Sequence, residues 1–165
     1  MSDPVVRPAT RSDVPTFNAI YNTYIVGSHV SFDLEAWTDA DRVEWFESRV
    51  EHRYPVLVAE IDGVVVGTAW AGPWRDKKAY RATVETTVVL ARDATGKGVG
   101  TALYSQLLED LTNAGFHRAI AIVSLPNDAS IALHHKLGFV DAGVLDDAGF
   151  KDGKFVSTLL LQRPL

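Results

Sequence analysis

Thr95-Gly96-Lys97-Gly98-Val99-Gly100 sets three glycines at alternate positions between two stretches of different period. Upstream, Ala82 to Leu90 is dense in Thr and Val, the composition of a strand. Downstream, Val99, Leu103, Leu107, Leu108 and Leu111 recur at three- and four-residue steps, the period of one helix face. A glycine-rich turn between a strand and a helix is an anion site. Glycines let a ligand approach the backbone, and the unpaired N–H groups of the first helical turn point at it with the positive end of the helix dipole behind them. A phosphate or pyrophosphate is the expected ligand. The same pattern also describes a flexible loop capped by a helix, so the turn alone does not decide.

Two familiar phosphate motifs are excluded. A P-loop requires Ser or Thr directly after its Gly-Lys pair and a glycine five positions before Gly96. Gly98 and Ala91 occupy those positions. A dinucleotide fingerprint requires Gly at position 101, near the chain start and about 20 residues ahead of an acidic ribose anchor. Position 101 is Thr, and the turn lies past mid-chain.

The bulk properties narrow the class. A chain of 165 residues, 47% of them apolar, is read as one domain (1–165) with a sizeable core. No apolar run approaches the roughly 20 residues of a membrane span, and the N-terminus lacks the basic-then-apolar layout of a signal peptide. The absence of cysteine removes disulfides, thiolate metal sites and a thiol nucleophile, and fits a cytoplasmic enzyme. A net charge of -5 argues against a nucleic-acid surface. The five histidines and the acidic residues have no metal-ligand spacing, so no metal is expected.

The remaining punctuation gives an element order. Ser12-Asp13 caps a first helix with Pro15 in its first turn, and Phe17, Ile20, Tyr21 and Tyr24 form its apolar stripe. Val26 to Glu35 has no period and reads as a loop. Thr38 or Asp39 caps a second helix through about His52. A hairpin follows, Val56 to Ile61 and Val64 to Ala71, around Asp62-Gly63. A loop from Trp74 to Ala79 leads to a strand from Tyr80 to Leu90, the glycine turn, and a third helix closed by Gly115. Phe116 to Val123 is a strand, Asn127-Asp128 caps a fourth helix ending at Gly138, and strands at Val140 to Val144 and Phe155 to Gln162 finish the chain. The order ααββ-β-α-β-α-ββ predicts an α/β fold, a mixed sheet with helices on both faces.

That order, with the glycine turn between a strand and the third helix, resembles the GNAT superfamily of N-acetyltransferases. Gly98 and Gly100 match its acetyl-CoA motif, with Thr95 standing where Gln or Arg is usual. Asn127, Ser130, Leu133 and Gly138-Phe139 match a second signature, in which His134 holds a position usually occupied by Tyr. More closely, the chain resembles the phosphinothricin and methionine sulfoximine acetyltransferases from Arg7 to Gln162. The matched segments are Tyr54-Pro55, Leu57-Val58-Ala59-Glu60, Ala71-Gly72-Pro73-Trp74, Ala79-Tyr80, Val84-Glu85-Thr86-Thr87-Val88, Leu125-Pro126-Asn127-Asp128, His134 and Ala148-Gly149-Phe150-Lys151. It departs from them at Ala82, Phe155 and Ser157, where those enzymes carry Trp, Trp and Asp.

The resemblance implies acetyl transfer from acetyl-CoA to the primary α-amine of a small amino-acid-like molecule, by direct attack in a ternary complex. A protein N-terminus or another amine is the alternative acceptor, and an acyl-CoA-binding sensor domain the non-enzyme alternative. It also implies backbone contacts to the cofactor from Val88, Val89 and Leu90 and from the turn Thr95, Gly96, Lys97, Gly98, Val99, Gly100 and Thr101, with Asn127 and Ser130 at the pantetheine arm. Homodimerisation follows from the same resemblance and from the apolar run through Phe155 to Leu161.

Transfer to an amine needs a proton acceptor, because a free amine is mostly protonated at pH 7. Glu85 is the candidate base. On a strand it shares a face with Thr83, Thr87 and Val89, opposite Val84, Val88 and Leu90. Pattern alone also allows a solvent-facing strand glutamate there. His134 is either a second proton-transfer group, including a donor to the departing thiolate, or a histidine filling the helix–sheet interface. Among Arg75, Lys77, Lys78 and Arg81, solvated loop charges by default, Arg81 beside Tyr80 is the expected carboxylate fork, with Arg75 as a further substrate contact. Phe32 is the candidate apolar lid.

Overall fold

The computed structural model describes residues 2–165, which form one seven-stranded sheet with helices on both faces. In chain order the elements are β1 (Val5–Pro8), α1 (Val14–Ile25), α2 (Asp39–Glu51), β2 (Val56–Ile61), β3 (Val64–Pro73), β4 (Thr83–Leu90), α3 (Val99–Asn113), β5 (Arg118–Ser124), α4 (Asp128–Lys136), β6 (Val140–Lys151) and β7 (Lys154–Pro164). The sheet order is β1-β2-β3-β4-β5-β7-β6, antiparallel throughout except for β4 and β5.

Strand alternation sorts two cores. Leu57, Ala59, Ala69, Ala71 and Val84 pack beneath α3 with Leu103, Tyr104 and Leu107. Val56, Val58, Trp70 and Val89, at the alternate positions, pack with Phe17 of α1 and Phe46 of α2. The predicted separation of Val84 from Val89 on β4 is therefore real, and Glu85 faces α1 and α2.

Several boundaries differ from the sequence reading. β1 was not foreseen; four residues ending in Arg-Pro carry no period, and the strand exists because it pairs antiparallel with β2. The strand expected from Tyr80 begins at Thr83, because Lys78–Tyr80 is a 3-10 turn and Arg81 keeps helical dihedrals. β5 starts at Arg118 instead of Phe116, since the N–H groups of His117 and Arg118 both donate to Ala82 O. The last two strands extend to a tight turn at Asp152-Gly153, whose φ values of 50° and 75° match those of Asp62-Gly63. The same Asp-Gly signal thus closes two hairpins. β7 inserts between β5 and β6, which leaves β6 as an edge strand buried only at Gly149 and Lys151.

Candidate active site

The site opens where the two parallel strands part. β4 pairs with β5 only from Thr83 to Glu85, against Arg118 to Ile120. Past Glu85 the strands splay, and β4 stays paired with β3 up to Leu90 while its other edge has no strand partner among the described residues. Thr86 ties the fork, with its hydroxyl 2.6 Å from Tyr104 OH and donating to Ile120 O at 3.3 Å.

Two cavities fill the splay and share Tyr24, Val30, Val88, Val89, Asn127 and Ser130. The outer one, about 680 Å³, is bounded by Leu90, Thr95, Gly96, Gly98, Gly100, Thr101 and Leu133, with Arg92 and Lys136 at its rim. The inner one, about 390 Å³, is lined by Glu85, Thr87, Asp33, Phe32, Ser124 and His134.

The glycine turn builds the outer cavity by backbone shape. Gly96 and Gly98 have φ of 74° and 80°, and a Cβ on either would project into open space. The turn can hold these left-handed conformations only at little cost with glycine. Gly98 caps α3, whose first-turn N–H groups open on the cavity. Gly100 does something different. A Cβ there would lie 3.3 Å from both Leu133 Cδ2 and Leu90 Cδ1, so this glycine lets α3 sit close to β4 and α4. Val99 is fully buried and can reach a ligand only through its backbone; Lys97 stands outside the cavity walls. Thr95 Oγ1 donates to Arg92 O at 2.8 Å, so its side chain is engaged within the turn. Asn127 caps α4, its Oδ1 accepting from Ser130 N at 3.3 Å.

In the inner cavity, Glu85 is half-buried and takes no hydrogen bond from the described residues. Desolvation raises its pKa above the ordinary carboxylate range, opposed by the positive charges of Arg49 and Arg75. Arg49 was not foreseen. Its guanidinium lies on Gly72, where a Cβ would come within 2.9 Å of Cζ, and Gly72 is the strand partner of Glu85. Nothing local marks Arg49, because α2 and β3 bring it to Glu85 from 36 positions upstream.

His134 is 4% exposed, edge-on to Tyr104 and Phe139 with ring centroids 5.1 Å away from each. Its Nδ1 lies 2.7 Å from Ser130 O, and a carbonyl can only accept, so Nδ1 carries the hydrogen. Burial lowers the His134 pKa; the Ser130 bond opposes this and the His135 charge adds to it. Burial thus favours the neutral ring, with its hydrogen on Nδ1 and the Nε2 lone pair unengaged by the described residues. That geometry suits a proton acceptor and disfavours donation to a thiolate.

The connection between α1 and α2 closes the inner cavity. Ser124 Oγ donates to Val30 O at 3.0 Å, and His29 Nε2 donates to Pro126 O at 2.8 Å. Lys151 Nζ, buried, donates to Ile25 O at 2.7 Å and Ser31 O at 2.6 Å. Phe32 sits on Gly149, whose missing Cβ makes room for its ring. Phe32 thus reaches the cavity wall as expected, and Lys151, read only as part of a matched segment, is what fixes it. Arg75, Tyr80 and Arg81 are exposed and lie outside both cavities, though the Arg75 charge reaches Glu85. Among the described residues no group of His, Asp or Glu is placed to hold a metal ion. Among the described residues no helix is long and apolar enough to cross a membrane.

Residues 17–139 match the model of the acetyltransferase (GNAT) family. The chain belongs to the GNAT acetyltransferase family. This N-acetyltransferase is 43% identical over 148 residues to the phosphinothricin N-acetyltransferase of Streptomyces viridochromogenes, covering 90% of this chain and 80% of that one. It is 37% identical to the L-methionine sulfoximine/L-methionine sulfone acetyltransferase of Pseudomonas paraeruginosa, covering 95% and 92%. A phosphinothricin acetyltransferase from Sinorhizobium meliloti, solved in complex with acetyl-CoA, superposes with a TM-score of 0.95 at 34% identity, over 98% of this chain and 88% of that one. The acetyl donor of this N-acetyltransferase is acetyl-CoA, and the outer cavity fits a phosphate-bearing group: left-handed glycines, a helix N-terminus, Arg92 and Lys136. When bound, it supplies a thioester carbonyl activated toward amines.

Proposed function

We propose that this N-acetyltransferase acetylates the α-amine of a small amino-acid-like acceptor, such as phosphinothricin or methionine sulfoximine or sulfone, by direct attack in a ternary complex. The observation carrying this reading is charge separation around Glu85. Carboxylates line the inner cavity, while the guanidinium groups of Arg49 and Arg75 stand on the Glu85 side outside it. An ammonium placed inward and a carboxylate placed outward match that polarity. The cavity volume, about 390 Å³ under the closed α1–α2 connection, suits a small acceptor better than a peptide. A ribosomal-protein-alanine N-acetyltransferase from Brucella melitensis shares the fold at 36% identity and a TM-score of 0.95, so a protein N-terminus is the second reading.

Glu85 takes one proton from the incoming ammonium. The neutral nitrogen then forms the new C–N bond as the C–S bond breaks; the thiolate leaves as the anion and the second proton on nitrogen passes to His134. His134 Nε2, unprotonated, accepts a proton from the nitrogen or from a bridging water. Val88 to Leu90 offer the open edge of β4 to the pantetheine amides. The carboxylate anchor passes from Arg81 to Arg75, because of these two loop residues it is the Arg75 charge that reaches Glu85. A homodimer belongs to the same reading, supported by the exposed Val140, Val144, Leu145, Phe150 and Phe155 of the β6–β7 hairpin. A cytoplasmic location accords with the cysteine-free chain.

A kcat/KM panel over α-amino-acid analogues, plain alkyl amines and Ala-starting peptides tests the acceptor. Methionine sulfone or phosphinothricin should lead. Arg75→Ala should lower kcat/KM for these by about tenfold, one charged hydrogen bond's worth, beyond any change shared with alkyl amines through the Arg75 charge on Glu85. A peptide outperforming every free amino acid would transfer the assignment to the second reading.

A further inference from the structure

Asp33 lines the inner cavity together with Glu85, from the α1–α2 connection that Lys151 fixes. Its Oδ2 accepts from Tyr21 OH at 2.8 Å and from Trp37 Nε1 at 3.1 Å. Its Oδ1 accepts from no described residue. Burial pushes the Tyr21 pKa up to about 12, which keeps the phenol a donor. Behind these aromatics lies Arg42, fully buried, its guanidinium 4.6 Å from the Tyr21 ring centroid and 4.0 Å from that of Trp37. Two donors and a rear cation therefore orient a carboxylate that has one oxygen left over, in a cavity that no Lys or Arg lines among the described residues. A spare anionic acceptor oriented in this way fits a cationic hydrogen-bond donor on the ligand.

We propose that Asp33 receives the acceptor's ammonium group through Oδ1, holding it in the cavity from which Glu85 takes the proton. Binding and deprotonation are thereby divided between two carboxylates on different elements. The inference rests on the small-amine reading above and adds to it the residue that selects a primary ammonium over an uncharged isostere.

Asp33→Asn is the informative variant, since its amide oxygen can still accept from Tyr21 and Trp37 while the charge is gone. Binding of L-methionine sulfone and of its 2-hydroxy analogue to the CoA-saturated protein is measured by calorimetry, with KM for methionine sulfone and for n-butylamine. The wild type should prefer the amine over the hydroxy analogue by about 10- to 100-fold, the range for hydrogen bonds to charged groups, and Asp33→Asn should bring the two within about twofold. KM should rise for both amines while acetyl-CoA affinity stays unchanged. Trp37→Phe, which removes a donor and leaves the charge, should keep the preference; Asp33→Ser repeats the test if Asn disturbs the fold. Retention of the preference in Asp33→Asn, or an equal loss on amine and hydroxy analogue, overturns the proposal. n-Butylamine separates the two readings. Turnover of it without turnover of methionine sulfone defeats the amino-acid acceptor, and Asp33 is then decided on n-butylamine alone.

Discussion

The two ends of the active site are built on opposite plans. The outer cavity takes one wall from a short local turn, Thr95, Gly96, Gly98, Gly100 and Thr101, which offers it backbone curvature and first-turn N–H groups. The inner cavity is formed by side chains from α1, the connection after it, β4, β5 and α4. A backbone site depends on where a side chain is absent; a side-chain site depends on which groups distant elements bring together. The first should be broken by adding atoms, the second by exchanging single functional groups.

The largest effect is expected at the inner end. Glu85→Gln should lower kcat for every amine by about 10²–10⁴-fold, the range of general-base catalysis, with acetyl-CoA affinity preserved in calorimetry. Because burial raises the Glu85 pKa, wild-type kcat/KM should fall on acidification from a pH above the ordinary carboxylate range, as the base becomes protonated. The variant should lose that limb and recover most at high pH, where the amine deprotonates unaided.

At the outer end, Gly98→Val should weaken acetyl-CoA binding by at least about tenfold. A β-branched residue at φ 80° is strained, and its side chain points into the space left open there. Gly100→Val should act through the fold, losing about 1–3 kcal/mol of stability by overpacking against Leu90 and Leu133, as read from the denaturant midpoint. Equal binding loss in both variants without any stability difference would erase the distinction between the two glycines.

Between the two ends, Lys151→Met strips the donor from Ile25 O and Ser31 O and should cost about 1–3 kcal/mol. The kinetic consequence should fall on acceptor KM more than on acetyl-CoA affinity, since the connection it holds walls the inner cavity. The smallest effect belongs to Thr95→Ala. Its hydroxyl reaches only Arg92 O, so acetyl-CoA affinity and stability should change by no more than about 0.5 kcal/mol. A larger change would mean that the side chain, and not the backbone, serves this position.

How much could be read in advance follows the same divide. The glycine turn, the α3 stripe, the Asp62-Gly63 hairpin and the Asn127 cap are local chemistry and appear as expected. Pattern alone left Glu85 and His134 each with an ordinary alternative that the family resemblance outweighed, while Phe32 stood out as an aromatic in a loop without period. Arg49, Asp33 and Lys151 escaped as individual residues. Their sequence neighbours give no sign of the groups they meet: Arg49 lies on Gly72, Asp33 under Tyr21 and Trp37, and Lys151 reaches carbonyls more than a hundred positions away.

The sequence by itself determined the α/β class, most of the elements, the glycine turn that opens α3 and the family. Each of these rests on periods, caps and turns that operate within a few residues, where backbone sterics and local hydrogen bonds dominate. Only the tertiary structure decided that β7 inserts between β5 and β6, that β4 and β5 part after Glu85, and that two carboxylates face one cavity. These depend on burial and on charges brought close by folding. Desolvation of Glu85, and of His134 against Tyr104 and Phe139, exists only once separate elements exclude water together.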